Sequence, residues 1–370
     1  MSCDWTGIRC FRFGIVVVLV VGLLVPIVGY SVNETGTGQV VSGILQGADW
    51  QVGDSCTIFT VTIGDTVFYG NNEDYLLEGT YLWLVPVQEI TTPYDTFTIH
   101  GFVGVGFNYH NHSGDGVQGA MNDQGLCVDA NGLPPLSMNP HPERDAFYPN
   151  ILQAVMFECG TVSEVITWFQ THNCGMVWAC QLHFADATGD AVVVSVYDGE
   201  FNFTRINGAP FLVSTNFNLA NHSNGGYPCT RYNTATLMLS SITSEEDLTV
   251  EACRDVLDAV HSEGTYGTKY SNIFDPVNRQ VYLYQNHNFD ELVTLDLDLE
   301  LAQVHPGGIG VIQEDLGYYR EVRLSSLFTS PIIPPILVLG IGGATIVSGV
   351  VIALVVWRIR KPPSQGPDPK

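Results

Sequence analysis

Cys56-Thr-Ile-Phe-Thr-Val-Thr-Ile63, Gly64-Asp65 and Thr66-Val-Phe-Tyr-Gly-Asn-Asn-Glu-Asp-Tyr75 form the stretch that decides the fold. Apolar and β-branched residues alternate on both sides of a Gly-Asp turn, the pattern of a β-hairpin. A cysteine at the first position of a hairpin is an odd place for a structural thiol. A cut between Ser55 and Cys56 would put a free α-amine beside its sulfur. Such an amine has an unperturbed pKa of about 8, so it can act as a general base at neutral pH. One residue then supplies both nucleophile and base. The hairpin pairing also returns Asp74 toward Cys56, where a carboxylate can hold the amine.

Working outward, short apolar or alternating runs separated by turn residues predict further strands. These fall at Leu82–Ile90, Phe97–Val105, Gly116–Asn122, Leu126–Ala130, Gln181–Asp186, Ala191–Tyr197 and Gln280–Tyr284. Helical periodicity marks Phe147–Glu158, Ser163–His172, Arg231–Ser241 and Thr249–Ser262. Helices clustered between blocks of strands predict an α+β domain with two layers of sheet and helices outside. Residues 31–55 are polar, Gly-rich and weakly patterned, a spacer or propeptide before the domain proper.

The termini have a different character. Arg9 and Arg12 precede an apolar run from Gly14 to Val28, so residues 1–30 read as a signal peptide or signal anchor. The run is short for a spanning helix of about 20 residues, and no small-x-small cleavage site follows. Ile332 to Trp357 carries no charge and is followed by Arg358, Arg360 and Lys361. That predicts a membrane-spanning helix at 332–357 with a cytoplasmic tail at 358–370, and a domain at 56–325 on the far side of a cell membrane. Within the apolar segment, Gly340-Ile-Gly-Gly-Ala344 has the small-xxx-small spacing of packed membrane helices, although the oligomeric state stays open.

The net charge is −24, from 38 acidic and 14 basic residues, a surface that repels nucleic-acid phosphates. Sequons at Asn33, Asn111, Asn202 and Asn221 permit glycosylation. Among nine cysteines, pairs such as Cys174 with Cys180 are open to disulfide formation, and no CxxC occurs. His110, His112 and Asp115 lack a further ligand at fixed spacing, so no metal is expected, and no cofactor. Gly104-Val-Gly106 is not a dinucleotide fingerprint.

Ordered blocks along the chain resemble the choloylglycine hydrolase and penicillin V acylase family, with its acyl-coenzyme A:6-aminopenicillanate acyltransferase branch. More distantly they resemble acid ceramidases and N-acylethanolamine amidases. After Cys56-Thr57 and Gly70-Asn-Asn-Glu-Asp74 come Met121-Asn-Asp-Gln-Gly-Leu126, Asp129-Ala-Asn-Gly-Leu-Pro134 and Ala185-Asp-Ala-Thr-Gly-Asp190. Val213-Ser-Thr-Asn-Phe217, Tyr227-Pro-Cys-Thr-Arg-Tyr-Asn-Thr-Ala235, Tyr270-Ser-Asn-Ile-Phe274 and Val281-Tyr-Leu-Tyr284 follow in the family order. The resemblance covers most of Cys56 to about Leu301.

It implies a four-layer αββα N-terminal nucleophile hydrolase sandwich that cleaves linear amide bonds. Cys56 matches the nucleophile, and Asp74 the carboxylate that positions thiol and amine. Asn131 and Asn216 match the two oxyanion-hole residues, one acting through a backbone N–H and one through a side-chain amide. Each such donor is worth roughly 3 kcal/mol. Arg231 matches the arginine that tunes the site. Asn71 is a departure: bile-salt-type members carry an arginine there, and its loss leaves the thiol less acidic.

The resulting reading is a membrane-anchored extracytoplasmic amidase, acting through an acyl-enzyme on Cys56 after autocatalytic cleavage at Ser55-Cys56. Its partner is a small-molecule amide, with N-acyl lipids favoured by a short linker from Ser325 to Pro335. The alternatives are a surface binding ectodomain that keeps the fold without the chemistry, and a Cys/His protease. None of the ten histidines stands in a protease context.

Overall fold

The computed structural model describes residues 56–76, 79–91, 94–107, 116–147, 150–175, 177–206, 208–305 and 317–329. Every described residue belongs to one compact unit.

The hairpin forms as the alternation requires, with β1 at Thr57–Ile63 and β2 at Thr66–Asp74, paired antiparallel from Thr57↔Asn72 to Ile63↔Thr66. The other strands of its sheet are β12 (Phe211–Ser214), β13 (Thr268–Asp275), β14 (Gln280–Gln285) and β15 (Asn288–Asp296). Their order is β12-β1-β2-β13-β14-β15, six strands in all. A second sheet holds β3 (Thr80–Val85), β6 (Phe102–Phe107), β7 (Val117–Asn122), β8 (Cys127–Ser137), β9 (Val177–Ala185), β10 (Ala191–Tyr197), β11 (Glu200–Arg205) and β16 (Arg320–Arg323). Its eight strands run in the order β11-β10-β9-β8-β7-β6-β3-β16. A small ribbon pairs β4 (Gln88–Thr91) with β5 (Thr96–Ile99).

Side-chain alternation sorts each strand into two faces. Ile58 and Tyr69 of the smaller sheet meet Val103, Val105, Met121 and Ala185 of the larger one in a core between the sheets. The odd-numbered partners on β1, Phe59 and Val61, pack outward on α3 (Thr230–Ser241) and α4 (Val250–Ala259) through Ala235, Leu239, Val256 and Leu257. Phe102, Val128, Phe184 and Val194 of the larger sheet pack outward on α1 (Ile151–Glu158) and α2 (Val162–Thr171). The layers are therefore helix, sheet, sheet, helix, the expected α+β sandwich. The other helices among the described residues are α5 (Leu297–Ala302) and α6 (Leu324–Thr329).

Two predicted strands are each divided. Leu82–Ile90 becomes β3 and β4, because Pro86 cannot donate to a ladder and Val87 turns out to solvent, 53% exposed. Phe97–Val105 becomes β5 and β6, with the break at His100-Gly101. A Cβ at Gly101 would come within 2.9 Å of the Val87 nitrogen, so the two breaks pack on each other. The first predicted helix begins at Ile151 rather than Phe147, where the Asn150 side chain accepts from the Gln153 N–H. The helix at 324–329 runs into the segment read as linker from Ser325, and Leu324 at its start is fully buried in the core between the sheets. Cys174 and Cys180 are both free thiols, as are Cys56, Cys127, Cys159, Cys229 and Cys253.

The apolar segments at 14–28 and 332–357, the spacer, the tail, and His110, His112 and Asp115 lie outside the described residues. Among the described residues no helix is long and apolar enough to cross a membrane.

Candidate active site at Cys56

Cys56 stands at the head of β1, 3% exposed, with Glu73 as the next residue along the β2 ladder beyond the Thr57↔Asn72 pair. Ile58 and Thr60 face the space between the sheets, and Cys56 continues that inward set. Thr57, turned the other way, meets α3. The guanidinium of Arg231, in the first turn of that helix, donates to the Cys56 carbonyl oxygen at 2.7 Å and to Thr57 Oγ1 at 2.7 Å. Its other nitrogen donates to Asn216 Oδ1 at 3.0 Å. Asn216 Nδ2 in turn donates to the carbonyl oxygen of Gly132 at 3.1 Å, the residue after Asn131. One planar fork thus ties the start of β1, the loop after β12 and the middle of β8 together, a geometry that suits arginine and not lysine.

Asp74 ends β2, paired with Thr268 of β13. Its Oδ2 accepts from Ser262 Oγ at 2.7 Å, and its Oδ1 from the Thr268 hydroxyl. Burial pushes this carboxyl up from 3.8 to about 6, against those two hydrogen bonds and the positive charges of Arg231 and His261. Burial also pushes the Cys56 thiol well above its ordinary value. The negative charges of Glu73, Asp74 and Asp129 push the same way, and the Asp74 backbone N–H opposes them. In the uncut chain the sulfur is therefore a protonated thiol.

Asn131 and Asn216 are not equivalent. Both side-chain ends of Asn216 are occupied by Arg231 and Gly132. Asn131 is fully buried on β8, and neither its Nδ2 nor its Oδ1 has a hydrogen-bond partner. A buried amide left unpaired is costly unless a reacting group completes it. Asn71 lies on β2 opposite Asn272, fully buried, and donates to Asn272 Oδ1 at 3.4 Å. It brings an uncharged amide to the inner face where a cation would otherwise act on the sulfur.

The structure thus brings Cys56, Asp74, Asn216 and Arg231 into one cluster, with Asn131 adjoining through Gly132 and Asn71 on the neighbouring strand. Several supporting residues had no sequence signal of their own. Gln181, across the ladder from Asn131, donates to the carbonyls of Thr215 at 2.7 Å and Phe217 at 2.8 Å. Its Oε1 accepts from the Leu219 N–H at 3.1 Å, so one side chain fixes the loop carrying Asn216. Ser262 and Thr268 hold Asp74 from segments nearly two hundred residues away, and only coordinates reveal that. His183 engages Thr60 and Ser214 through its two ring nitrogens, not Cys56. No group of three or more metal-binding side chains occurs among the described residues. A surface groove of about 400 Å³ along α2, lined by Glu158, Cys159, Trp168 and His172 among others, shares no residue with this cluster.

No family model matches the chain, and no curated protein matches it. Solved structures do. A point mutant of conjugated bile acid hydrolase from Clostridium perfringens is 13% identical with a TM-score of 0.50, over 66% of this chain and 93% of that one. Penicillin V acylase from Agrobacterium tumefaciens is 17% identical with a TM-score of 0.52, over 66% and 86%. A second variant of the Clostridium perfringens enzyme is 12% identical with a TM-score of 0.54, over 75% and 100%. The chain therefore shares its fold with conjugated bile acid hydrolase and penicillin V acylase.

Proposed function

We propose that the chain is a cysteine amidase of the N-terminal nucleophile type, made active by a cut between Ser55 and Cys56. The observation that carries the reading is the Arg231 fork on the Cys56 carbonyl, Thr57 and Asn216. A chain terminus ordinarily frays. Here the residue that would become the terminus is held by its own carbonyl, so a new amine would stay in place.

In the processing step the Cys56 sulfur attacks the Ser55 carbonyl carbon. An S–C bond forms, the peptide C–N bond breaks, and the nitrogen takes up the thiol proton. Water then hydrolyses the thioester and leaves a free α-amine on Cys56. In turnover that amine accepts the thiol proton while sulfur attacks the substrate carbonyl. Asn131 Nδ2, which pairs with nothing in the resting fold, is the side-chain donor for the oxyanion, and a backbone N–H is the second. The leaving amine takes the proton, and water hydrolyses the acyl-enzyme. Asp74, near the carboxylate–carboxylic acid midpoint at about 6, becomes the counter-ion of the new ammonium.

The relatives in fold are named for bile acid conjugates and penicillin V, both small-molecule amides. We assign this chain a small-molecule linear amide as substrate. The apolar segment at 332–357 with its basic flank supports anchoring in a cell membrane with the site outside, and N-acyl lipids as the favoured amides. The test is a panel of N-acyl amides of graded chain length, read by product release and by intact mass of acylated Cys56. Acylation on Cys56 with turnover rising along the chain series is expected. Turnover confined to short soluble amides would remove the lipid assignment, and no acylation by any amide would remove the amidase reading.

A further inference from the structure

Asp129 is a fully buried carboxyl on β8, two residues before Asn131 and on the same inward face. Its Oδ1 accepts from the Ala130 N–H at 2.7 Å, and its Oδ2 has no hydrogen-bond partner. The room for it comes from Gly119 of β7, where an added Cβ would collide with the carboxyl itself. A side chain accommodated in this way, yet left unpaired, calls for an explanation beyond packing.

The groups that face it are known from every neighbouring strand. Across the ladder on β9 is His183, whose ring nitrogens meet Thr60 Oγ1 at 3.0 Å and Ser214 Oγ at 2.9 Å. Burial carries that imidazole down to about 3, so it stays neutral and gives Asp129 no counter-charge. From β2 comes Tyr69, which feels the Asp129 charge, while Glu73 of β2 and Cys127 of β8 stand on the same inward-facing sets. At the head of β1 is Cys56, within range of the Asp129 charge. Tyr69 is held up by burial first and by Asp129 second. Among the described residues no cation pairs with Asp129, and Arg231 is spent on Cys56, Thr57 and Asn216.

We propose that Asp129 is an electrostatic positioning residue for Cys56: as a neutral acid it permits the thiolate, and as a carboxylate it opposes it. The inference rests on Cys56 being the nucleophile. An unpaired carboxylate between two sheets is costly enough that such a group takes up a proton instead. Burial carries Asp129 from 3.8 to about 8, against the Ala130 hydrogen bond. The acid is therefore intact at neutral pH. In mildly alkaline solution it ionises ahead of the thiol, and its charge joins those of Glu73 and Asp74 on the sulfur.

The test is the rate of Cys56 alkylation by iodoacetamide from pH 6 to pH 10 in the full chain, read by peptide mass, for wild type and Asp129→Asn. Access to the buried sulfur limits both proteins alike, so only the ionisation differs. Equal rates are expected below pH 7, with the variant pulling ahead above pH 8, by about tenfold for each pKa unit removed from the thiol. Matching profiles throughout, or one constant ratio at every pH, would overturn the proposal. Should the variant not fold, infrared spectra of the wild type decide. A protonated-carboxyl band persisting to pH 7 and lost near pH 8 supports it, and loss of every such band by pH 5 overturns it. Alkylation needs no substrate, so a chain that turns over no amide would fail the amidase reading while leaving this inference to its own result.

Discussion

At the scale of single residues, the account depends on how Arg231 and Asn131 use their donors. Arg231→Lys keeps the charge but loses the fork, since an ammonium cannot serve Cys56 O, Thr57 Oγ1 and Asn216 Oδ1 with one fixed geometry. The expected cost is on the order of a hundredfold in kcat, because small misplacements of a nucleophile are expensive. Steady-state kinetics on purified protein that matched wild type would contradict it. Asn131→Ala removes a donor paired with nothing in the resting fold, so it should spare stability while lowering kcat by roughly 10²–10³. A loss of stability with kcat intact would make Asn131 a structural residue. The placement of Asp74 beside Cys56 was legible because Cys56 begins an alternating run and the turn geometry returns Asp74 to it. Asp129 was not, for an aspartate two positions from Asn131 looks like any strand residue until its burial is known.

At the scale of elements, the loop that carries Asn216 hangs on Gln181. Gln181→Leu leaves the Thr215 and Phe217 carbonyls buried without donors, which should cost about 2–3 kcal/mol in denaturant unfolding and lower activity as well. A variant as stable as wild type would show that the loop is held by other contacts. Strands were readable where an apolar or alternating run is bounded by turn residues, as in β1, β2 and β10. They were misread where a short break hides inside an apolar run, as at Pro86-Val87 and His100-Gly101. β15 escaped notice because it lies at the edge of its sheet with most side chains in solvent, so its sequence is polar. Helix starts follow side-chain caps: Thr161 and Glu164 form a reciprocal capping box on α2, and Asn150 caps α1. Periodicity alone runs past the Asn150 cap to Phe147, and on α2 it starts one residue inside the helix.

At the scale of the whole molecule, two buried carboxyls set a stability trend with pH. Asp74 and Asp129 both have folded values above 3.8, about 6 and about 8, each because burial penalises the charge. The folded state therefore binds protons more tightly than the unfolded chain at both sites. Their contribution is fully present below about pH 4 and is lost as pH rises through 6 and then 8. Above the ordinary histidine range, where the buried neutral His183 no longer works against the trend, thermal unfolding should give a Tm that falls from pH 7 to pH 9, with a shallower fall for Asp129→Asn. Parallel curves would deny Asp129 its buried, unpaired carboxyl. The net charge of −24 adds self-repulsion in the same direction, and because salt screens exposed charges but not buried ones, only the repulsive part should fade in high salt.

The central claim is that Cys56 becomes the first residue of the working protein. It is tested most directly by intact mass and N-terminal sequencing of the mature chain, for wild type and Cys56→Ala. The wild type should begin at Cys56, and the Cys56→Ala protein should keep the residues before it. A catalytically active wild type that retains those residues would contradict it, since the sulfur would then work without the amine that the mechanism requires.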